Sequence, residues 1–460
     1  MRHIHSLFLR FFFVAALIGF FFNSNEAKAE KSFLDVQIVE STGGIKAWLV
    51  EDHTLPIIAV EAAFLESGSA VNPKNKQGLT QLLSNTLDEG AGDLDSQQFQ
   101  KALTDHAISL YFHNSRDSFS LTLQTLTKHK DLAFDLLKKA LHEAHFDKEA
   151  VERMRKSNIS RIQSSLSNPD WIAARIRNDK FFAGHPYALN SGGTISSLEK
   201  LTPKDLKEFS HKILRRETLQ ISVTGDITKE ELSSILDKVF APLPAVQSTP
   251  PTADVDHHHA ETIFVYEKDV PQTFFEIVFP SLRRTDPDYY PLKVMNHIFG
   301  ESGFGSRLMD NARDKNGLTY GIYSSLGHYL HANTLRIATS TKNENAQQML
   351  DIIREEIQRI KQELVSEKEL QHAKQYITGS LPLSLTSTDR ISSIMQRLQR
   401  RKLPPDYLDH YAEKIESVTA EDIQRVAKRV FQEDSMFVVL VGKPNITENV
   451  TTVTEIPNVY

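Results

Sequence analysis

Nitrogen and oxygen side chains must supply any chemistry in this chain, because its 460 residues include 18 histidines and no cysteine. Thiolate metal sites and disulfides are thereby excluded. His257-His258-His259 is a run of three imidazoles. Successive side chains in an extended segment point apart and no fourth ligand is evident, so no physiological metal is expected there. His53, His106, His113, His145 and His185 are scattered, and none has an i, i+4 partner with a carboxylate nearby. Two further segments hold polar groups at suggestive spacing. Arg313-Asp314-Lys315-Asn316-Gly317-Leu318-Thr319-Tyr320 sets a guanidinium and a phenol, both hydrogen-bond donors, seven residues apart. Upstream, Gly300-Glu301-Ser302-Gly303-Phe304-Gly305-Ser306-Arg307-Leu308 is rich in a residue that permits sharp turns. Taken alone, the first segment also reads as a surface cation closing a helix with a strand tyrosine after it, and the second as a glycine turn ahead of a helix.

These segments need a frame, and the chain writes the same order of elements twice. The first half reads as a strand at 57–65, helices at 78–87 and 96–104, strands at 108–113 and 118–126, and an amphipathic helix at 129–144. The second half repeats this with a strand at 273–279, helices at 289–299 and 306–313, strands at 320–326 and 334–341, and a helix at 344–364. Later in each half a threonine cap, Thr202 or Thr419, precedes an amphipathic helix with an acid in its first turn, and a β-rich run ends at Gly225 or Gly442. The offset of about 217 residues is domain-sized, so the pattern predicts a duplicated domain rather than a solenoid. Each half mixes antiparallel-looking strands with helices, which makes the class α+β: two tandem homologous domains, each a mostly antiparallel sheet with helices packed on it.

The expected boundaries are 1–29 for a signal peptide, 30–241 for the first domain, 242–261 for a linker holding Pro242, Pro244, Pro250 and Pro251, and 262–460 for the second domain. Arg2, His3 and Arg10 precede an apolar run at 11–22, and Ala27-Lys28-Ala29 places small residues where a signal peptidase reads, so cleavage is expected after Ala29. The run is short for a bilayer span, which needs about 20 residues. An exported chain without disulfides suits the bacterial periplasm. With 40% hydrophobic and 24% charged residues the composition is that of a water-soluble globular protein, and a net charge of −6 gives no general attraction for nucleic acid.

A tandem of such domains resembles the insulinase/pitrilysin family of zinc peptidases, over nearly the whole chain from Val36 to Pro444, and three local motifs carry the resemblance. In active relatives the helix beginning at the equivalent of Gly78 resembles G-L-A-H-F-L-E-H-M, whose H-x-x-E-H holds zinc and a general base. Here Gln81 and Asn85 occupy the histidine positions and Ser84 that of the base. The family's third ligand is a glutamate in a stretch similar to Phe146-Asp147-Lys148-Glu149-Ala150-Val151-Glu152-Arg153-Met154, which puts Met154 at the ligand position; Glu152 lies about 200° away around the helix. Amides and a thioether cannot supply the charge and basicity that Zn²⁺ demands, so no metal is expected in this chain. The glycine-rich segment with Gly300, Gly303 and Gly305 resembles the family's substrate-approaching loop. Arg313 and Tyr320 resemble its R-x-K-x-x-L-x-Y motif, in which an arginine and a tyrosine hold the substrate carbonyl near a facing domain's zinc. The resemblance therefore implies a non-catalytic subunit, half of a clamshell, that lends Arg313 and Tyr320 to a zinc-bearing homologous partner cleaving peptides, with no nucleic acid and no stable membrane span. Alternative readings are a peptide-binding or scaffold module and an active peptidase with a relocated zinc site.

Overall fold

Alternating and continuous apolar runs fold into two six-stranded sheets in the computed structural model, which describes residues 32–246, 252–256 and 262–460. The expected signal peptide, His257-His258-His259 and part of the expected linker lie outside the described residues. The strands are β1 (Gln37–Glu40), β2 (Lys46–Glu51), β3 (Ile57–Leu65), β4 (Ser109–Asn114), β5 (Ser118–Leu126), β6 (Leu219–Gly225), β7 (Thr262–Glu267), β8 (Gln272–Pro280), β9 (Ile322–His328), β10 (Asn333–Lys342), β11 (Phe437–Gly442) and β12 (Thr451–Thr452). Their orders are β1-β2-β6-β3-β5-β4 and β12-β7-β11-β8-β10-β9. Slot for slot, five strands of one sheet have their counterparts in the other, as a duplicated α+β unit requires. Pairing is mostly antiparallel, but the short β12 runs parallel to β7 and, at matching places in the two sheets, β2 runs parallel to β6 and β7 to β11. Those matching pairs join residues about 175 positions apart, which local periodicity could not reveal. Both threonine caps form: Thr202 and Thr419 accept from the amides of Asp205 and Asp422, whose carboxylates return the bond in capping boxes.

The two sheets are locked together by an exchange of helices within the compact unit Leu34–Tyr460. The helix Pro169–Phe181 of the first half packs on β8 and β11, and the helix Thr388–Arg400 of the second half packs on β3 and β6. The first contact is apolar. Ile172, Ala173, Ile176 and Phe181 meet Val278, Phe437, Val439 and Val441, while Val438 and Leu440, on the other face of β11, enter the second half's own core. The second contact is polar: Gln399 Nε2 donates to the Ile221 carbonyl (2.8 Å) and Ser222 Oγ (2.6 Å), and Ser392 Oγ to the Ser222 carbonyl (2.9 Å). A buried carboxylate adds a further tie, with Glu276 on β8 receiving Arg177 (3.3 Å) and Arg336 (3.0 Å) on one oxygen. The chain end crosses back as well, since Val459 is buried in the first half's core and its carbonyl accepts from the Ile195 amide (2.8 Å). Among the described residues no helix is long and apolar enough to cross a membrane.

Candidate functional site

The helix Leu79–Ser84 starts at Gly78, whose φ of +83° and approach to Gly193 suit glycine alone, because a Cβ would lie 2.7 Å from the Gly193 Cα. Leu79, Leu82 and Leu83 enter the core and so fix which arc of the helix faces outward. On that arc Gln81 Nε2 donates to Asn85 Oδ1 (2.9 Å), the one-turn contact that i, i+4 spacing allows. The Ser84 hydroxyl turns back onto its own helix, donating to the Gln81 carbonyl (2.8 Å). The helix Lys148–Ser165 completes the cluster. Its buried Asn158 donates through Nδ2 to Asn85 Oδ1 (3.5 Å) and accepts from Arg161 Nη2 (3.0 Å).

Met154 sits four and seven residues before Asn158 and Arg161, hence on the same helical face, but it packs against the apolar core. The polar reach toward Asn85 comes instead from Asn158 and Arg161, which sequence reasoning missed although their spacing from Met154 was readable. Glu152 pairs with Arg155 and, at 3.7 Å, with Lys156, on the solvated side. The cluster is a chain of amides ending in a guanidinium. It offers no imidazole and no carboxylate, and the arginine adds a positive charge at its far end, on Asn158. No group of three or more His, Asp or Glu side chains able to hold a metal occurs among the described residues. Of the scattered histidines, His106, His145 and His185 bond to the carbonyls of Ala102, Gly92 and Ala253, and His53 to Asp226 (2.7 Å).

In the second half the expected helices are interrupted by wider turns. The helix Tyr289–Asn296 passes into a π-turn, His297–Glu301, and the short helix Arg307–Met309 into another, Asp310–Lys315. Such turns re-aim side chains and recur at functional positions. Gly300 presses on edge strand β9: a Cβ there would meet Ser324 Oγ at 2.6 Å and its amide nitrogen at 2.8 Å. Gly303 and Gly305 have φ of +70° and +84°. Buried Arg307 anchors the loop through a two-point ion pair with Glu369 (2.7 and 3.2 Å). Burial by itself raises the Glu369 carboxyl, but the Arg307 guanidinium with the Ser366 hydroxyl and amide outweighs it and holds the group at about 2.

The Arg313 guanidinium lies 4.7 Å over the Phe304 ring and 3.1 Å from Asp314. Tyr320 is 91% exposed, just before β9, so it is not a core strand residue. Phe304 and Tyr323 are exposed too, and a Cβ on Gly303 would be 3.4 Å from the Tyr323 ring. Arg313 thus stands against Phe304 of the glycine loop, with Tyr323 beside Gly303, two aromatic members that sequence reasoning did not single out, while Tyr320 stands outside the core. No hydrogen bond joins Arg313 to Tyr320 among the described residues. Nor does a hydrogen bond or ion pair among the described residues link them to the amide cluster of the first half.

Comparison with known proteins agrees with this anatomy. Residues 56–194 match the model of the insulinase family (peptidase family M16), and residues 200–377 that of the peptidase M16 inactive domain. The chain is 28% identical to the "non-peptidase homolog YmxG" of Helicobacter pylori over 72% of this chain and 77% of that protein. It is 26% identical to the "probable inactive metalloprotease YmfF" of Bacillus subtilis over 90% and 97%. Its fold superposes on a peptidase M16 inactive domain from Pseudomonas fluorescens with a TM-score of 0.84 at 23% identity, covering 91% of this chain and 100% of that one. With both halves matched by models of one family, the chain belongs to the insulinase family of peptidases, M16.

Proposed function

We propose that this chain is the zinc-less subunit of a two-chain peptidase of the bacterial periplasm, pairing with a zinc-bearing homologue and lending it Arg313 and Tyr320. The observation that carries the reading is the exposure of Tyr320: a phenol held 91% in solvent contributes nothing to its own core. A partner's active site is a place where both donors have work. As a peptide carbonyl becomes a tetrahedral oxyanion, positioned N–H and O–H groups stabilise the new charge more than they stabilise the substrate. Gly303 and Gly305 turn the loop without side chains where an extended peptide approaches, and Gly300, lacking a Cβ, lets the loop pack onto β9. The zinc and the water it activates belong to the partner.

The test is reconstitution with a zinc-bearing homologue from the same cell and peptide turnover measured with Arg313→Ala. Turnover falls by roughly 10²-fold, the scale of one lost oxyanion donor. An unchanged rate in a correctly assembled complex refutes the role. The relatives described as non-peptidase and inactive favour a second reading, a peptide-holding module with no part in cleavage. That module would bind peptide and leave a homologue's turnover unaffected.

A further inference from the structure

Away from both motif clusters, cationic side chains converge on one cavity of about 440 Å³ where the two halves meet. Its wall includes Arg283, Arg284, Arg397, Arg400, Arg401 and Lys402, facing Glu66, Asp117 and Asp254. The acids are already engaged. Glu66 holds His331 Nε2 (2.8 Å), Asp117 accepts from the Tyr187 hydroxyl and the Leu330 amide (3.0 Å), and Asp254 holds Arg283 (2.5 Å) and His331 Nδ1 (3.3 Å). The arginines at the end of the helix Thr388–Arg400 are not. Arg397, Arg400 and Arg401 take part in no ion pair among the described residues, and the bond from Arg397 goes to Ser393 Oγ at a long 3.4 Å. Among the described residues Arg284 has the Tyr407 hydroxyl at 3.4 Å and the faces of Tyr289 and Tyr407, and no ion pair.

Arg397 also lines two neighbouring concavities, of about 510 and 450 Å³, so the three adjoin at its side chain as a trough, whose last part reaches Glu301 and Ser302 of the glycine-rich segment. In the first of these Glu61 and Asp389 are the acids, with Arg390 beside Arg397; Glu61 accepts from the Thr122 hydroxyl (3.0 Å), and burial raises its carboxyl above the usual range, while in the second Glu301 is held by Lys293 (2.6 Å). Burial lowers Arg397 and Arg400, and burial with repulsion from Arg284 brings Arg401 to about 10. His328 in the same wall is driven to about 4, by burial and then by Arg401, and is neutral at pH 7. A basic residue at a helix C-terminus complements the dipole there, which accounts for Arg397 and Arg400 taken singly. It does not account for Arg401 and Arg284 turned toward the same partly dried space, where like charges repel strongly.

We propose that this trough docks the carboxylate side chains of an extended acidic polypeptide segment, with Arg397, Arg400 and Arg401 as the anchors. Guanidinium forks match carboxylates in two-point contacts, and three confluent concavities accommodate several residues of chain where a single small anion needs one. The inference deepens the peptide-holding part of the proposed function by giving the substrate class.

The experiment is fluorescence anisotropy on the full chain with labelled peptides of equal length, one rich in glutamate, one in glutamine and one in lysine. The glutamate peptide binds about tenfold or more tightly than the glutamine one, and its affinity falls as salt rises. Arg397→Glu removes that preference, as does the combined Arg397→Gln, Arg400→Gln, Arg401→Gln variant. Equal binding of all three peptides, tightest binding of the lysine peptide, or preference retained in Arg397→Glu overturns the inference. Protection by inorganic phosphate, abolished in Arg397→Glu, with no glutamate-peptide binding, overturns the carboxylate assignment in favour of a free phosphate. Loss of peptide selectivity beside an Arg313-dependent complex sinks this inference alone. Selective acidic-peptide binding by a chain that never joins a zinc-bearing homologue sinks the partner reading alone.

Discussion

Glu369→Gln tests whether the ion pair beneath the glycine loop holds that loop in place. The carboxyl sits at about 2 in the folded chain against an ordinary 4.5. That depression corresponds to a ceiling of roughly 3.4 kcal/mol. Because the Glu369 side chain is 33% exposed, solvent screening reduces the ceiling by about half, leaving about 2 kcal/mol. Glutamine keeps the capping box at Ser366, so the loss reports the Arg307 contact rather than the helix start. The sign follows from linkage: a carboxyl depressed on folding adds stability that is full above 4.5 and is lost as pH falls toward 2. Urea unfolding at pH 7 therefore shows a midpoint lowered by roughly 0.5 M or more, and at about pH 3 less than half of the wild-type advantage remains. Amide exchange in residues 300–306 rises in parallel. A destabilisation under about 0.5 kcal/mol at pH 7, or one of equal size at both pH values, refutes the argument.

Two other outcomes follow from the same geometry. His328, neutral when folded with its proton lost down to about 4, stabilises the fold above its ordinary 6.5 and ceases to as pH falls from 6.5 to 4; His328→Gln flattens thermal stability across that window and leaves the range above pH 7 unchanged. Restoring the motif helix with Gln81→His, Ser84→Glu and Asn85→His does not yield stoichiometric zinc at micromolar metal, because Met154 leaves the third ligand position without a carboxylate; adding Met154→Glu raises affinity by at least about tenfold, read by chelator competition.

The residue types at 81, 84 and 85, the repeated order of strands and helices, and the capping threonines were legible in the linear chain. Each is written in local spacing, and local spacing is what a helix or strand obeys. Met154 marks where that legibility ends: the sequence identified the helix and the face, but which of three residues on the face reaches Asn85 depends on how two helices pack across 73 positions. The swap of Pro169–Phe181 and Thr388–Arg400 between sheets was equally invisible, since an amphipathic pattern says that a face is buried and not against what. Only the folded chain decided that Tyr320 stands in solvent, that Arg313 stacks on Phe304, and that arginines from 284 to 401 share one trough. Periodicity constrains each segment against its own backbone; charge, exposure and proximity between segments are set by tertiary packing, and the candidate chemistry of this chain lies there.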